Sequence, residues 1–287
     1  MNSWKIGKGK SLPIGARTLV MGILNVTPDS FSDGSQFSSL DQALAHAEAM
    51  IAEGADIIDV GGESTRPGAV PVTAEQEIER VVPVIEGLAT RIDTPISIDT
   101  TKALVARAAL AAGASIVNDI SALRFDFHIA DEAAQSGAGL VLMHSRGTPV
   151  TMHKLPPVAD IMKEVISSLG SSITMAERRG VKREAIAIDP GIGFGKSQEQ
   201  NLELIAKLDQ LAAAFPDLPV LIGTSRKSFI GRLLANESGE SAPVEERLYG
   251  TLATNVAAVL HGANIVRTHE VKPVRDAMRI MDAIGNL

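Results

Sequence analysis

Short apolar runs alternate with longer amphipathic stretches along most of the chain. Residues 18–24, 56–60, 95–98, 115–117, 139–142, 185–188, 218–222 and 263–266 each read as a buried strand. Helical spacing of apolar positions follows at residues 40–53, 73–90, 103–112, 159–179, 198–215, 229–235, 245–261 and 271–284. In the helix over 73–90, Glu75, Glu77 and Glu79 fall on the expected wet side. The strands do not alternate apolar with polar, so both faces must be covered. That is the signature of a parallel sheet under helices. Strand, polar residue, loop and helix recur about eight times, the count of a (β/α)8 TIM barrel. A doubly wound open sheet is the competing architecture.

Composition fits this reading. Hydrophobic residues make up 45% of the 287 positions and aromatics only 3%, so the core must be built from Ala, Val, Ile and Leu. No linker, composition break or low-complexity tract interrupts the pattern. A single TIM-barrel domain over 1–287 is expected. Net charge is −7 without a basic run, which argues against nucleic acid as a partner. With no cysteine, disulfides, thiolate nucleophiles and thiolate-bound metals are excluded. No segment is long and apolar enough for a membrane span or the core of a signal peptide, so a cytoplasmic location is expected.

Chemistry is concentrated where strands stop. In a barrel those stops share one face. They are Asn25, the loop 61–68 with Arg66, Asp99, Asn118, Asp189, Lys227, and the pair Arg267 and His269. The end of the sixth strand is the most distinctive: Asp189-Pro-Gly-Ile-Gly-Phe194-Gly-Lys stops a strand on a carboxylate and then brings backbone close to its surroundings. Taken singly, Asp189 can serve as a turn filler, Asp99 as a helix cap and Arg66 as a solvated surface residue. His144 reads as structural, because no second histidine lies at ligand spacing. Taken together, carboxylates and amides suit a flat, nitrogen-rich heterocycle. Arg66, Arg267, His269 and Asn25 suit a polyanion such as a diphosphate. The segment 225–228 opens a helix after the seventh strand, where barrels commonly hold phosphate. Placement of Arg267 and His269 at strand ends predicts that removing either leaves the fold intact.

The motifs resemble those of the dihydropteroate synthase family. Gly-Ile-Leu-Asn25-Val-Thr-Pro-Asp-Ser-Phe31-Ser-Asp33-Gly is similar to its first signature, and Asp59-Val-Gly-Gly-Glu63-Ser-Thr65-Arg66-Pro67-Gly to its second. Asp99-Thr, Asn118-Asp-Ile, Met143-His144, the Asp189 to Lys196 stretch, Ser225-Arg-Lys227-Ser228 and Arg267-Thr-His269 follow in the same order. Ile192 departs from the bulkier residue common there.

The resemblance implies condensation of 6-hydroxymethyl-7,8-dihydropterin diphosphate with 4-aminobenzoate, with Mg²⁺ as cofactor and small molecules as partners. It also implies a homodimer. By the same resemblance Asp99, Asn118, Asp189 and Lys227 hold the pterin, with Arg267 packed on its ring. Arg66, Arg267 and His269 take the diphosphate, and Asn25 faces the Mg²⁺. Phe31, Thr65, Pro67, Phe194, Lys227 and Ser228 surround the aminobenzoate. Asp99, Asp189, Lys227, Arg267 and His269 are the expected catalytic set. A pterin-binding methyltransferase barrel with a corrinoid partner and a non-catalytic pterin-binding protein are the other readings open at this point.

Overall fold

The structure is a computed structural model that describes residues 3–26, 36–64, 71–148 and 150–285. Eight parallel strands form its centre: β3 (Leu19–Asn25), β4 (Ile57–Gly61), β5 (Ile96–Asp99), β6 (Ile116–Asp119), β7 (Gly139–Met143), β8 (Ile186–Asp189), β9 (Leu221–Ile222) and β10 (Ile265–Thr268). They are ordered β8-β7-β6-β5-β4-β3-β10-β9. The ring closes between its two ends, where Ile188 bridges Val220 and its N–H donates to Pro219 O at 2.9 Å. The (β/α)8 expectation therefore holds, and the open sheet does not.

Helices α1 (Gln36–Ala52), α2 (Ala74–Ala89), α3 (Ala103–Ala112), α4 (Ile129–Ser136), α5 (Ile161–Arg178), α6 (Gln198–Ala206), α7 (Leu208–Ala214), α8 (Ser228–Leu233), α9 (Leu248–Leu260) and α10 (Val271–Gly285) accompany the strands. None is long and apolar enough to cross a membrane, among the described residues. The pleat divides every strand but β5 between two cores. Val20, Leu24, Ile58, Val60, Ile98, Leu140, Leu142, Ile188, Ile222 and Val266 belong to the larger core shared with the helices. Leu19, Met21, Ile57, Ile116, Val141, Ala187, Leu221 and Ile265 form a second, inner cluster.

A feature absent from the sequence reading closes the bottom of that inner cluster. Strands β1 (Ser3–Lys5) and β2 (Ser11–Pro13) pair as an antiparallel hairpin. Trp4, fully buried, joins Ile6 and Ile14 in the inner core. Its indole N–H donates to Ala185 O at 2.8 Å, so the hairpin is tied to the turn that leads into the strand that carries Asp189.

Other expectations need correction. The stretch 198–215 is two helices, α6 and α7, broken at Lys207. The seventh strand is only two residues long, and α4 was not anticipated at all. Glu77 is not on a wet face: it has no exposure and packs inward from α2.

Candidate functional site

Side chains alternate along a strand, so the inner layer projects two or four residues further to the carboxyl ends. Counting from Met21, Ile57, Ile116, Ala187 and Ile265 reaches Asn25, Asp59, Asn118, Asp189 and Arg267. Asp99 lies in register with both Gly61 and Asn118. Register alone thus brings five of the predicted residues, and one not predicted, to the mouth of the barrel.

Arg267 is the hub. Its Nε donates to Asp59 Oδ2 at 2.6 Å and its Nη2 to Asp99 Oδ2 at 2.7 Å. The same Asp59 oxygen accepts from Asn118 Nδ2 at 3.0 Å. Burial pushes the Asp99 carboxyl up to about 7 despite Arg267, with Asp59 adding to the rise. Burial works against the Arg267 charge, but Asp59 and Asp99 overcome it and hold the guanidinium above its ordinary value. A Cβ on Gly61 would lie 3.8 Å from Asn25 Oδ1 and 3.7 Å from Asp99 Cβ. Asn25 therefore stands beside Asp99, across that glycine.

Asp189 is buried, and its Oδ1 accepts from Gly191 N at 2.6 Å. Burial raises its carboxyl above the ordinary value, against the pull of Lys227. The turn reading of Asp189 is thus half right: one oxygen organises the loop. Lys227 donates to Ile192 O, and its Nζ lies 4.7 Å from the centre of the Phe194 ring. Burial lowers the Lys227 ammonium to about 8, although Asp189 opposes the shift.

The glycine-rich loop needs its glycines. Gly191, Gly193 and Gly195 have φ of 67°, 85° and 71°, the left-handed region. A Cβ on Gly191 would sit 1.8 Å from His144 O, with no room to move. Lys196 then staples the loop. Its Nζ donates to Gly191 O at 2.7 Å, Phe194 O at 3.1 Å and His144 O at 3.2 Å. His144 is buried, and its imidazole is held neutral, down to about 2, by burial and then by Lys196, Arg124 and Arg146. Burial without charge is what a structural role for His144 requires.

His269 adjoins this group at the end of β10, where its Nδ1 lies 2.9 Å from Ser225 Oγ. Glu270 accepts from that hydroxyl at 3.2 Å and pairs with Arg226. Ser228 is the exposed first residue of α8, with Arg232 Nη1 3.3 Å from its hydroxyl. Asp99 caps no helix: the residue before α3 is Lys102, and Ala103 N donates instead to Asp126 at 2.8 Å. Phe31, Asp33, Thr65, Arg66 and Pro67 lie outside the described residues.

Asp59 is the residue that sequence reasoning missed. Its signal was present: a charge in the middle of Ile57-Ile58-Asp59-Val60, where nothing but an inward role accounts for it. Lys102 is a second omission. It donates at 2.6 Å to both Glu63 and Glu77, while Glu63 also accepts from Val72 N at 3.1 Å. A cavity of about 520 Å³ lies elsewhere, lined by Leu104, Arg107, His128 and Arg179 on the outer helices. It contains none of the strand-end groups.

A closed parallel barrel with buried carboxylates, an amide and two basic groups at its mouth defines a binding enzyme for a polar heterocycle. Comparison with known proteins narrows the class. Residues 21–269 match the family described as pterin binding enzyme. A dihydropteroate synthase of Synechocystis sp. is 47% identical over 270 residues, 94% of this chain and 91% of the relative. A Clostridium difficile dihydropteroate synthase, solved in the presence of pteroic acid, superimposes with a TM-score of 0.87 at 46% identity. The match covers 95% of this chain and 98% of that one. A Xanthomonas albilineans dihydropteroate synthase, solved with 4-aminobenzoic acid, gives 0.89 at 41% identity and covers 99% of each chain. The chain belongs to the dihydropteroate synthases, within the pterin-binding enzyme family, and is a transferase.

Proposed function

We propose that the chain joins 6-hydroxymethyl-7,8-dihydropterin diphosphate to 4-aminobenzoate, giving 7,8-dihydropteroate and pyrophosphate. The observation that supports this most is the Asp59–Arg267–Asp99 arrangement with Asn118 at its edge, facing Asp189 and Lys227 across the mouth. Asp189, with one oxygen committed to Gly191, keeps the other for adjacent N–H groups of the pterin. Asn118, Asp99 and Lys227 hold the remaining ring edge, and Arg267 packs on the ring.

The chemistry follows from the charges. The bond between the pterin methylene and the diphosphate oxygen breaks, and the electron pair leaves with the diphosphate. Positive charge develops on the pterin, and the buried carboxylates favour it electrostatically. The aromatic amine, neutral at pH 7, attacks the methylene, forms the carbon–nitrogen bond and then loses its proton to solvent. Arg267, His269 and Arg66 hold the departing anion. Phe194, Ser228, Phe31, Thr65 and Pro67 surround the aminobenzoate.

Asn25 fits a Mg²⁺ role. It offers one neutral oxygen beside Asp99 at the mouth, in keeping with an ion that keeps mostly water and phosphate ligands. When bound, Mg²⁺ would neutralise charge on the leaving diphosphate. A homodimer through α9 and α10 completes the reading. Tyr249, Leu260, Ile280 and Ile284 expose 61–81% of their surface there, on adjacent helices. The setting we infer is cytoplasmic.

Pyrophosphate release tests the reaction directly. With the pterin diphosphate and Mg²⁺ present, release should depend on 4-aminobenzoate and yield dihydropteroate in equal amount. Release that ignores 4-aminobenzoate would refute the condensation.

A further inference from the structure

We infer that Asp59 is the positioning residue that decides which edge of Asn118 meets the heterocycle. The inference rests on the reading of the barrel mouth as a pterin pocket. Asp59 has no solvent exposure and sits at the centre of a strand that is otherwise apolar. A carboxylate there costs desolvation, and only one of its oxygens is used. Oδ2 accepts from Arg267 Nε at 2.6 Å and from Asn118 Nδ2 at 3.0 Å, whereas Oδ1 is buried with no hydrogen-bond partner among the described residues. A half-satisfied buried carboxylate is poor material for stability. Its retention is accounted for by what Oδ2 does to its two neighbours.

The consequence for Asn118 is a matter of donors and acceptors. The oxygen facing it is already ion-paired with Arg267 and can only accept. Asn118 must therefore turn its NH₂ toward Asp59, which aims its carbonyl oxygen at the ligand as an acceptor, beside the one N–H that Asp59 does not take. The pocket then requires a heterocycle that presents a donor to Asn118. Without Asp59 the amide can present either end, and that requirement is lost. Across the mouth Asp189 likewise offers an acceptor, because Gly191 N takes up its Oδ1 and leaves Oδ2 for the ligand. The two polar walls thus select the same kind of edge, rich in N–H. Arg267 also donates to Asp59, but Asp99 pins its Nη2 independently, so Asp59 reaches the ligand chiefly through Asn118.

The test is a double-mutant cycle in the full-length protein, read by calorimetric titration with 6-hydroxymethyl-7,8-dihydropterin and by steady-state kinetics. Asp59→Asn and Asn118→Ala should each weaken pterin binding at least about tenfold. The double variant should be no more than about threefold weaker than Asn118→Ala alone, since Asp59 acts through Asn118. KM for the pterin substrate should rise in Asp59→Asn, while KM for 4-aminobenzoate stays within about twofold of wild type. Losses that multiply in full would make Asp59 an independent structural residue and overturn the inference. If Asn118→Ala binds pterin normally, the pocket reading itself fails. If Asn118→Ala is weak but Asp59→Asn binds normally, only the present inference fails. Should Asp59→Asn not fold, Asn118→Asp carries the test. It keeps an acceptor for the ligand but replaces the donor to Asp59 with a carboxyl group that Asp59 repels, so it should bind as poorly as Asn118→Ala. Wild-type affinity in Asn118→Asp would overturn the inference.

Discussion

Lys102 neutralises Glu77, a carboxylate without solvent exposure, across 2.6 Å, and does so from the loop that follows Asp99. Burial raises the Glu77 carboxyl even with Lys102 present. Lys102→Ala would leave that charge uncompensated, a change that costs about 3 kcal/mol in a buried pair. A melting temperature lower by roughly 6–12 °C is expected at pH 8. The sign with pH is definite. A carboxyl whose folded value is raised supplies stability at low pH and loses it as pH rises. The gap between variant and wild type should therefore narrow on acidification to pH 5. A gap that widens toward pH 5 would contradict the assignment.

Asp189→Asn is the sharpest probe of the pterin wall. The Gly191 N–H needs an acceptor, so the new amide will keep its carbonyl oxygen there and turn NH₂ toward the ligand. A donor then faces a donor. Turnover should fall by roughly two orders of magnitude or more, the scale of losing a transition-state electrostatic contact. Near-normal turnover in a folded Asp189→Asn protein would remove Asp189 from the site.

Much of this was readable before any coordinates. Each apolar run stops on a polar residue because the inner pleat of a barrel strand ends at the mouth, and that is a local signal. What was not readable depends on distant partners. Glu77 looks solvated on a helix wheel, and only Lys102, from another βα unit, makes its burial tolerable. The hairpin β1–β2 has three residues per strand, too few to show a period, and its role comes from Trp4 reaching Ala185. Helix α4 is short and carries Asp131 and Glu132 in its first turn, so its apolar face is narrow. Lys196 closes the glycine-rich motif with no local sign of its partners, yet it holds three carbonyls of the site.

Lys227 sets an alkaline limit. Its ammonium is lowered to about 8 by burial, and the proposed pterin and aminobenzoate contacts need the charged form. The kcat/KM profile should fall above about pH 8. Lys227→Arg stays protonated throughout and should carry less activity but lose that limb. An unchanged limb in Lys227→Arg would assign the titration to another group.

Gly191→Ala tests the tight approach of the glycine-rich loop to β7. The new methyl meets His144 O at 1.8 Å, and φ of 67° disfavours any L side chain there. Backbone must move, and with it the Asp189 contact and the Lys196 staple. Activity should fall at least about a hundredfold, whereas Gly239→Ala, in open space at φ 82°, should leave it within about twofold. Comparable activity in the two variants would mean that the close approach has no bearing on the site.

Arg267 and His269 separate binding from stability. Both belong to the proposed diphosphate grip, so alanine at either should weaken pyrophosphate binding in calorimetric titration. The expectation that both substitutions spare the fold does not survive the structure. Arg267 is the shared partner of two carboxylates, one with no exposure and the other raised to about 7 by burial. Its removal leaves them facing each other without a cation, at a cost of about 3 kcal/mol. His269 touches the Ser225 hydroxyl at the rim, and Glu270 shares that hydroxyl. At pH 8 Arg267→Ala should therefore melt well below wild type and His269→Ala close to it. Without Arg267 the Asp99 carboxyl rises further, since a charge that favoured its ionised form is gone. A raised folded-state value adds stability that is present at low pH and lost as pH rises through it. Arg267→Ala should accordingly regain much of its deficit between pH 8 and pH 5, while its pyrophosphate affinity stays low. Equal melting of the two variants at pH 8 would show that Arg267 does not neutralise this pair. Unchanged pyrophosphate affinity in both would move the diphosphate site elsewhere.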